Sequence, residues 1–157
     1  MPNYCENKLN LIGPTDKIIE YAKSIEEDNV FFELVIPNPN PDDWYNFNNE
    51  NWGTKWDICD FSQPQVETID EDKSKLTIYF TTAWSPPIGI YEELHEMGFD
   101  VEAGFFEPAM CFYGRFTDGT TYSAEYVIPT EICDEFVKYF DLQDWVEDEI
   151  LYLEEVE

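Results

Sequence analysis

The chemistry open to this chain is set by what its side chains include and what they omit. Carboxylates dominate, with 35 Asp and Glu in 157 residues against one histidine, His95, and four cysteines. Carboxylates hold a hard cation only when loop spacing converges them, and neither an EF-hand Asp-x-Asp-x-Asp-Gly loop nor a His-x-x-x-His pair is present. Cys5, Cys59, Cys111 and Cys133 stand far apart, with no Cys-x-x-Cys pair to build a compact zinc site. Ser85 follows an apolar run and precedes Pro86, but the Gly-x-Ser-x-Gly of a nucleophile elbow is missing. The excess of negative charge raises thiol pKa values, which disfavours a reactive thiolate at Cys5. His95, flanked by Glu92 and Glu96, is expected on a solvated helix surface. Neither catalytic residues, a metal site nor a cofactor is expected.

Two stretches remain that could bind something. The first is "NWGTKWD", residues 51–57, which with Trp84 gathers three tryptophans and Lys55. It has one glycine and one lysine, short of a phosphate-binding loop. On a packing reading, Trp52, Trp56 and Trp84 fill space against one another between neighbouring strands while Lys55 pairs with Asp57. On a binding reading, the same rings wall a small pocket whose cation, Lys55, receives an anionic ligand. The second stretch is the C-terminal segment, where residues 131–157 hold eleven acids against the single Lys138, a net of −10. Asp141, Asp144, Asp148 and Glu155 fall close to one helical face, where neighbours three or four apart lie about 5–6 Å from each other. Like charges at that spacing destabilise a helix by a few tenths of a kcal/mol per pair, so solubility is a weak reason for so many. Rows of carboxylates present a partner with something like a nucleic-acid backbone.

The whole chain carries a net charge of −27, which repels nucleic acid and anionic membranes and attracts basic surfaces. With 43% hydrophobic and 17% aromatic residues it is too rich in core formers to be a disordered acidic tail. The opening "MPNYCENKLNLIG" has no basic and apolar signal regions, and no apolar run approaches the ~18 residues of a membrane span. A soluble, cytoplasmic protein with reduced, largely buried thiols is expected.

The elements that must position these stretches follow from periodicity. "YCENKLNLIG" alternates as a strand, and "PTDKIIEYAKSIEED" repeats Ile18, Ile19, Ala22 and Ile25 at helical spacing. "VFFELVI", residues 30–36, reads as a second strand stopped by "PNPNPDD", and residues 37–51 as a long ordered loop. "KLTIYFTTAW" is a strand, "IGIYEELHEMG" a helix closed by Gly98, and three antiparallel strands follow with a turn at Asp118-Gly119. Residues 130–157 are expected to be helical, with Thr130 as N-cap and Ile132, Phe136, Val137 and Phe140 as an apolar stripe. Asp141 restarts the helix there, with Leu142, Trp145, Val146, Ile150 and Leu153 buried. The order of elements predicts an α+β fold: an antiparallel sheet with helices packed on one face over residues 1–129, and an acidic helical extension, 130–157, packed on it.

"MPNYCENKLNLIG", "NWGTKWD", "TAWSPP" at 82–87, and the Glu102, Gly104, Phe105 and Gly114 pattern together resemble the YubB-type ferredoxin-like family over residues 1–117. The resemblance implies a ferredoxin-like fold without an iron–sulfur cluster, an origin on plasmids, phages or other mobile elements, and no established enzymatic activity. With the acidic face it leads to the expectation of a non-enzymatic DNA mimic. Such a protein would inhibit a nucleic-acid-binding defence protein of a bacterial host by covering its basic surface, without binding nucleic acid itself. The alternative is a small-ligand or protein-binding module using Trp52, Lys55, Trp56 and Trp84. Alkylation of the unfolded, unreduced protein should modify four cysteines by mass; a mass showing disulfides would overturn the redox reading.

Overall fold

The computed structural model describes residues 3–156, with the side chain of Val156 left aside. Strand β1 (Tyr4–Pro14) leads into α1 (Thr15–Asp28), then α2 (Phe32–Val35), a 3-10 turn at Pro41–Asp43 and α3 (Trp44–Asn51). β2 (Gln65–Thr68) and β3 (Lys73–Ala83) form a hairpin, followed by α4 (Ile88–Glu96), β4 (Asp100–Glu107), β5 (Phe112–Thr117) and β6 (Thr120–Glu125). A 3-10 turn at Pro129–Glu131, α5 (Asp134–Tyr139) and α6 (Gln143–Val156) complete the described residues.

The sheet order is β2-β3-β1-β4-β5-β6, antiparallel throughout. β1-α1-β2 crosses over β3 and β3-α4-β4 crosses over β1, so two interlocked split βαβ units make the ferredoxin-like centre. The β5–β6 hairpin widens it, turning at Asp118 (φ 51) and Gly119 (φ 76), the two left-handed residues that a type I′ turn requires.

Strand alternation sorts the residues between two faces. Leu9, Leu11, Leu76, Ile78, Phe80, Val101 and Ala103 point to one face and are buried beneath Ile18, Tyr21, Ala22 and Ile25 of α1 and Ile90, Tyr91 and Leu94 of α4. Ile19, expected in that stripe, is exposed, and Tyr21 takes its place. The C-terminal segment lies across the opposite face around a second cluster: Phe106, Tyr126, Ile132, Phe136, Phe140 and Leu142, with the Trp145 ring 4.8 Å from Phe106. Tyr139 crosses the sheet at Gly104, where any Cβ would stand 2.6 Å from its ring. The Lys8 ammonium and the Arg115 guanidinium approach that ring at 4.3 and 3.9 Å, so cation–π contacts anchor the extension to β1 and β5.

Several local readings are corrected. Residues 30–36 form no strand: Phe32 and Val35 lie on one buried helical face of α2, and Phe31 is buried before it. The Asp57 carboxylate decides this, accepting the N–H groups of Phe31, Phe32 and Glu33 at 3.0, 2.9 and 3.1 Å and satisfying the free donors of the helix start. The second strand is instead Gln65–Thr68, an exposed edge with no apolar alternation to betray it. The expected loop 37–51 holds a 3-10 turn and α3. Thr130 sits inside a 3-10 turn, and Cys133 precedes α5 in its place. Of the thiols only Cys5 is buried, and Cys133 is exposed. Burial, with Glu107 adding repulsion, pushes the Cys5 thiol up to about 12.

Asp57→Ala removes the acceptor for several backbone donors at once. It should lower stability by about 2–3 kcal/mol, read as a shift in the urea midpoint, and Asp57→Asn should recover part of the loss. Unchanged stability would mean that the cap contributes nothing.

Candidate functional site

The two motif stretches meet and lock. Thr54 Oγ1 donates to the Ala83 carbonyl at 3.0 Å, Ser85 Oγ to that of Gly53 at 2.6 Å, and the Gly89 N–H to that of Trp52 at 3.1 Å. Gly53 takes φ 85, a left-handed conformation that side chains resist. Thr82 Oγ1 donates to the Ser85 carbonyl at 2.7 Å and closes the bend after β3. These bonds hold a non-repetitive segment, residues 52–58, against the end of β3 and the start of α4.

The lock separates the three tryptophans, so they do not pack against one another as the packing reading held. Trp52 is core: 4% exposed, edge-on to Phe32 and Phe47, with its indole N–H donating to the Ile36 carbonyl at 2.9 Å. Trp56 is half-buried, and Trp84 is 42% exposed with φ 66, a conformation a bulky residue rarely adopts. The Trp84 N–H bonds the Asn3 carbonyl at 2.7 Å, which holds that backbone in place. Lys55 does not pair with Asp57, whose carboxylate is turned to the α2 cap. Its ammonium lies 4.9 Å from the Trp56 ring, 5.2 Å from Trp84 and 6.0 Å from Tyr45, a cation among three rings. Tyr45 and its edge-on neighbour Trp44 are themselves about half exposed, so the cluster forms an open platform. Nothing in the sequence marks Tyr45, because residues 37–51 read as a loop.

The acidic face is also rearranged. Asp144, Asp148 and Glu155 are exposed on α6, within about 40° of one another at roughly 100° per residue. Asp141 is not on that helix: with φ 57 it sits in the bend after α5 and lines a groove of about 550 Å³ with Glu6, Asp60 and Tyr79. Burial raises the pKa of Glu6 in that groove. Leu153 is exposed rather than buried, and Leu151 and Tyr152 are exposed as well, so α6 presents apolar side chains beside its carboxylates. His95 is exposed, as expected, with its ring over Gly119 and 6.4 Å from Phe116.

A family model described as the ferredoxin-like domain in Api92-like protein matches residues 52–143, more than half of the chain. The chain belongs to this ferredoxin-like family. The matched span of the domain begins at Trp52, contains all but Asn51 of the two interlocked motifs and runs through α5, so the Tyr139 anchor is part of it. Nearly all of α6 lies beyond the match, and so does the row of carboxylates. Comparison with curated proteins and with solved structures finds no match. Among the described residues, no helix is long and apolar enough to cross a membrane.

The separation of roles is measurable. Trp52→Ala should cost about 3–5 kcal/mol, as truncating a buried aromatic does. Trp84→Ala should leave the melting temperature near that of the parent, because the ring is exposed and alanine, like tryptophan, carries a Cβ at φ 66, so the backbone strain is the same in both. A large loss from Trp84→Ala would make the platform part of the core.

Proposed function

We propose that this chain is a non-enzymatic binding protein that covers the basic, nucleic-acid-binding surface of a partner. The observation that carries the reading is the row Asp144, Asp148 and Glu155 on α6: exposed and with no ion-pair partner from the chain's own lysines or arginine among the described residues. The row spans about 16 Å at 1.5 Å per residue, enough to face several phosphate-binding side chains of a partner at once. The chain's overall charge of −27 extends the same field over its surface and speeds encounter with a basic surface. The motif resemblance to YubB-type proteins supports an origin on a plasmid or phage, action in the host cytoplasm and a defence protein as target.

One observation favours a second reading. Trp84 is held exposed in a strained conformation beside the ring-bound Lys55, and such strain concentrates at sites with a function. On this reading the platform binds a small ligand or a protein side chain.

Elution of captured bacterial proteins with rising salt separates the two. A basic nucleic-acid-binding protein released by salt and by excess DNA supports the first reading. Neutralising Asp144, Asp148 and Glu155 to Asn or Gln should leave folding intact and weaken that partner by about 0.5–1 kcal/mol per exposed charge, mainly through slower association. Neutralising Asp141 alone should weaken it less. A triple variant that binds as tightly as the parent, or DNA and protein bound together, would end the mimicry reading.

A further inference from the structure

β6 ends the sheet with six residues, all of them exposed. In its two-residue hairpin Thr117 and Thr120 form the bonded pair, so Arg115/Tyr122 and Tyr113/Ala124 are the next bonded pairs. The backbone N–H and C=O groups of Thr121, Ser123 and Glu125 therefore point away from the sheet. Natural edges are blunted by brevity, lysine, proline or a bulge, and β6 has none of these. The other edge, β2, is four residues long and follows Pro64.

A cavity of about 250 Å³ lies beside this edge, between the β5–β6 hairpin and α5, walled by Tyr113, Tyr122, Ala124 and Phe136. Further exposed apolar side chains flank the edge: Tyr122 (60% exposed) and, past the buried Tyr126, Val127 (84%) and Ile128 (45%).

We propose that β6 is the docking edge for an extended, basic segment of a partner protein, which joins the sheet as a seventh strand and places one apolar side chain in the cavity. Charge selects this occupant. The strand is preceded by Asp118, ends at Glu125 and is followed by Glu131, Asp134 and Glu135 before Lys138, and the one cation lining the cavity, Arg115 of β5, is already paired with Glu102 and Glu135 at 3.6 and 4.0 Å. A second copy of the chain would bring another −27 to the same edge, whereas a lysine-rich segment meets an opposite field. Main-chain pairing supplies the register and none of the α6 carboxylates takes part, so the inference stands or falls apart from the mimicry reading.

The test is amide exchange by NMR with a capped octapeptide of alternating lysine and valine. Exchange at Thr121, Ser123 and Glu125 should slow about tenfold once roughly nine-tenths of the protein is bound. The same peptide with N-methylated backbone, or with aspartate in place of lysine, should give no protection. Ser123→Pro removes an outward N–H and no ladder bond, and it should abolish the effect. The variant neutralised at Asp144, Asp148 and Glu155 should retain it. Three results would overturn the proposal: unchanged exchange at these amides in the parent protein, equal binding by the N-methylated peptide, or peptide-free dimerisation that protects the same amides. The N-methylated arm needs no protein variant, so the test holds even if Ser123→Pro fails to fold.

Discussion

The arrangement of this molecule turns on one carboxylate. Asp57 accepts four backbone N–H groups, those of Phe31, Phe32 and Glu33 at the start of α2 and that of Ile58 beside it. A half-buried carboxylate with several oriented donors is strongly held, and here the donors come from segments some twenty-five residues apart. The bond fixes where the insertion between α1 and β2 begins its return to the sheet. Trp52 can then fill the space beside Phe32, and Lys55 and Trp56 are left facing outward. The same bonds withdraw Asp57 from Lys55, which is why the lysine is held by rings.

The two sheet faces are used differently. One is a conventional apolar layer under α1 and α4, whose burial supplies most of the driving force for folding. The other is mixed, since β1 places Glu6 and Lys8 on it and β5 places Arg115 there. The C-terminal segment covers part of this polar face through Tyr139, whose ring accepts two cations, while Phe136 and Phe140 add apolar area. Gly104 is the residue that lets the ring come so close. The extension is thus built into the domain through α5, while α6 projects exposed carboxylates and leucines.

Surface character and partner choice are linked by charge. A net charge of −27 sets up a field that repels anionic surfaces and attracts cationic ones over about one Debye length, near 8 Å at physiological salt. Within that range the proposed readings draw on shape: the carboxylate row of α6, the ring platform at Lys55 or the open backbone of β6. Each occupies a different element, and each exposes groups that the fold could have covered.

By itself the sequence determined the class of fold, the strands β1 and β3, helices α1 and α4, the turn at Asp118-Gly119 and the helical nature of the C-terminal segment. In those places local periodicity and tertiary burial agree. Leu9 and Leu11 alternate because one face of β1 is buried, and Ile18, Ala22 and Ile25 recur because one face of α1 is. Only the tertiary structure decided the rest. "VFFELVI" has the composition of a strand, and it became a helix because Asp57 caps it. β2 carried no alternation because both of its faces are exposed. Trp52, Trp56 and Trp84 are the same residue type in the same motifs, yet one is core and two are a surface, a difference made by long-range hydrogen bonds between residues 53–54 and 83–85. Asp141 shares its helical phase with Asp144 and Asp148 on paper, but a left-handed residue between α5 and α6 breaks the helix and turns it into a separate groove. Periodicity describes a helix that continues, and only packing decides where it stops.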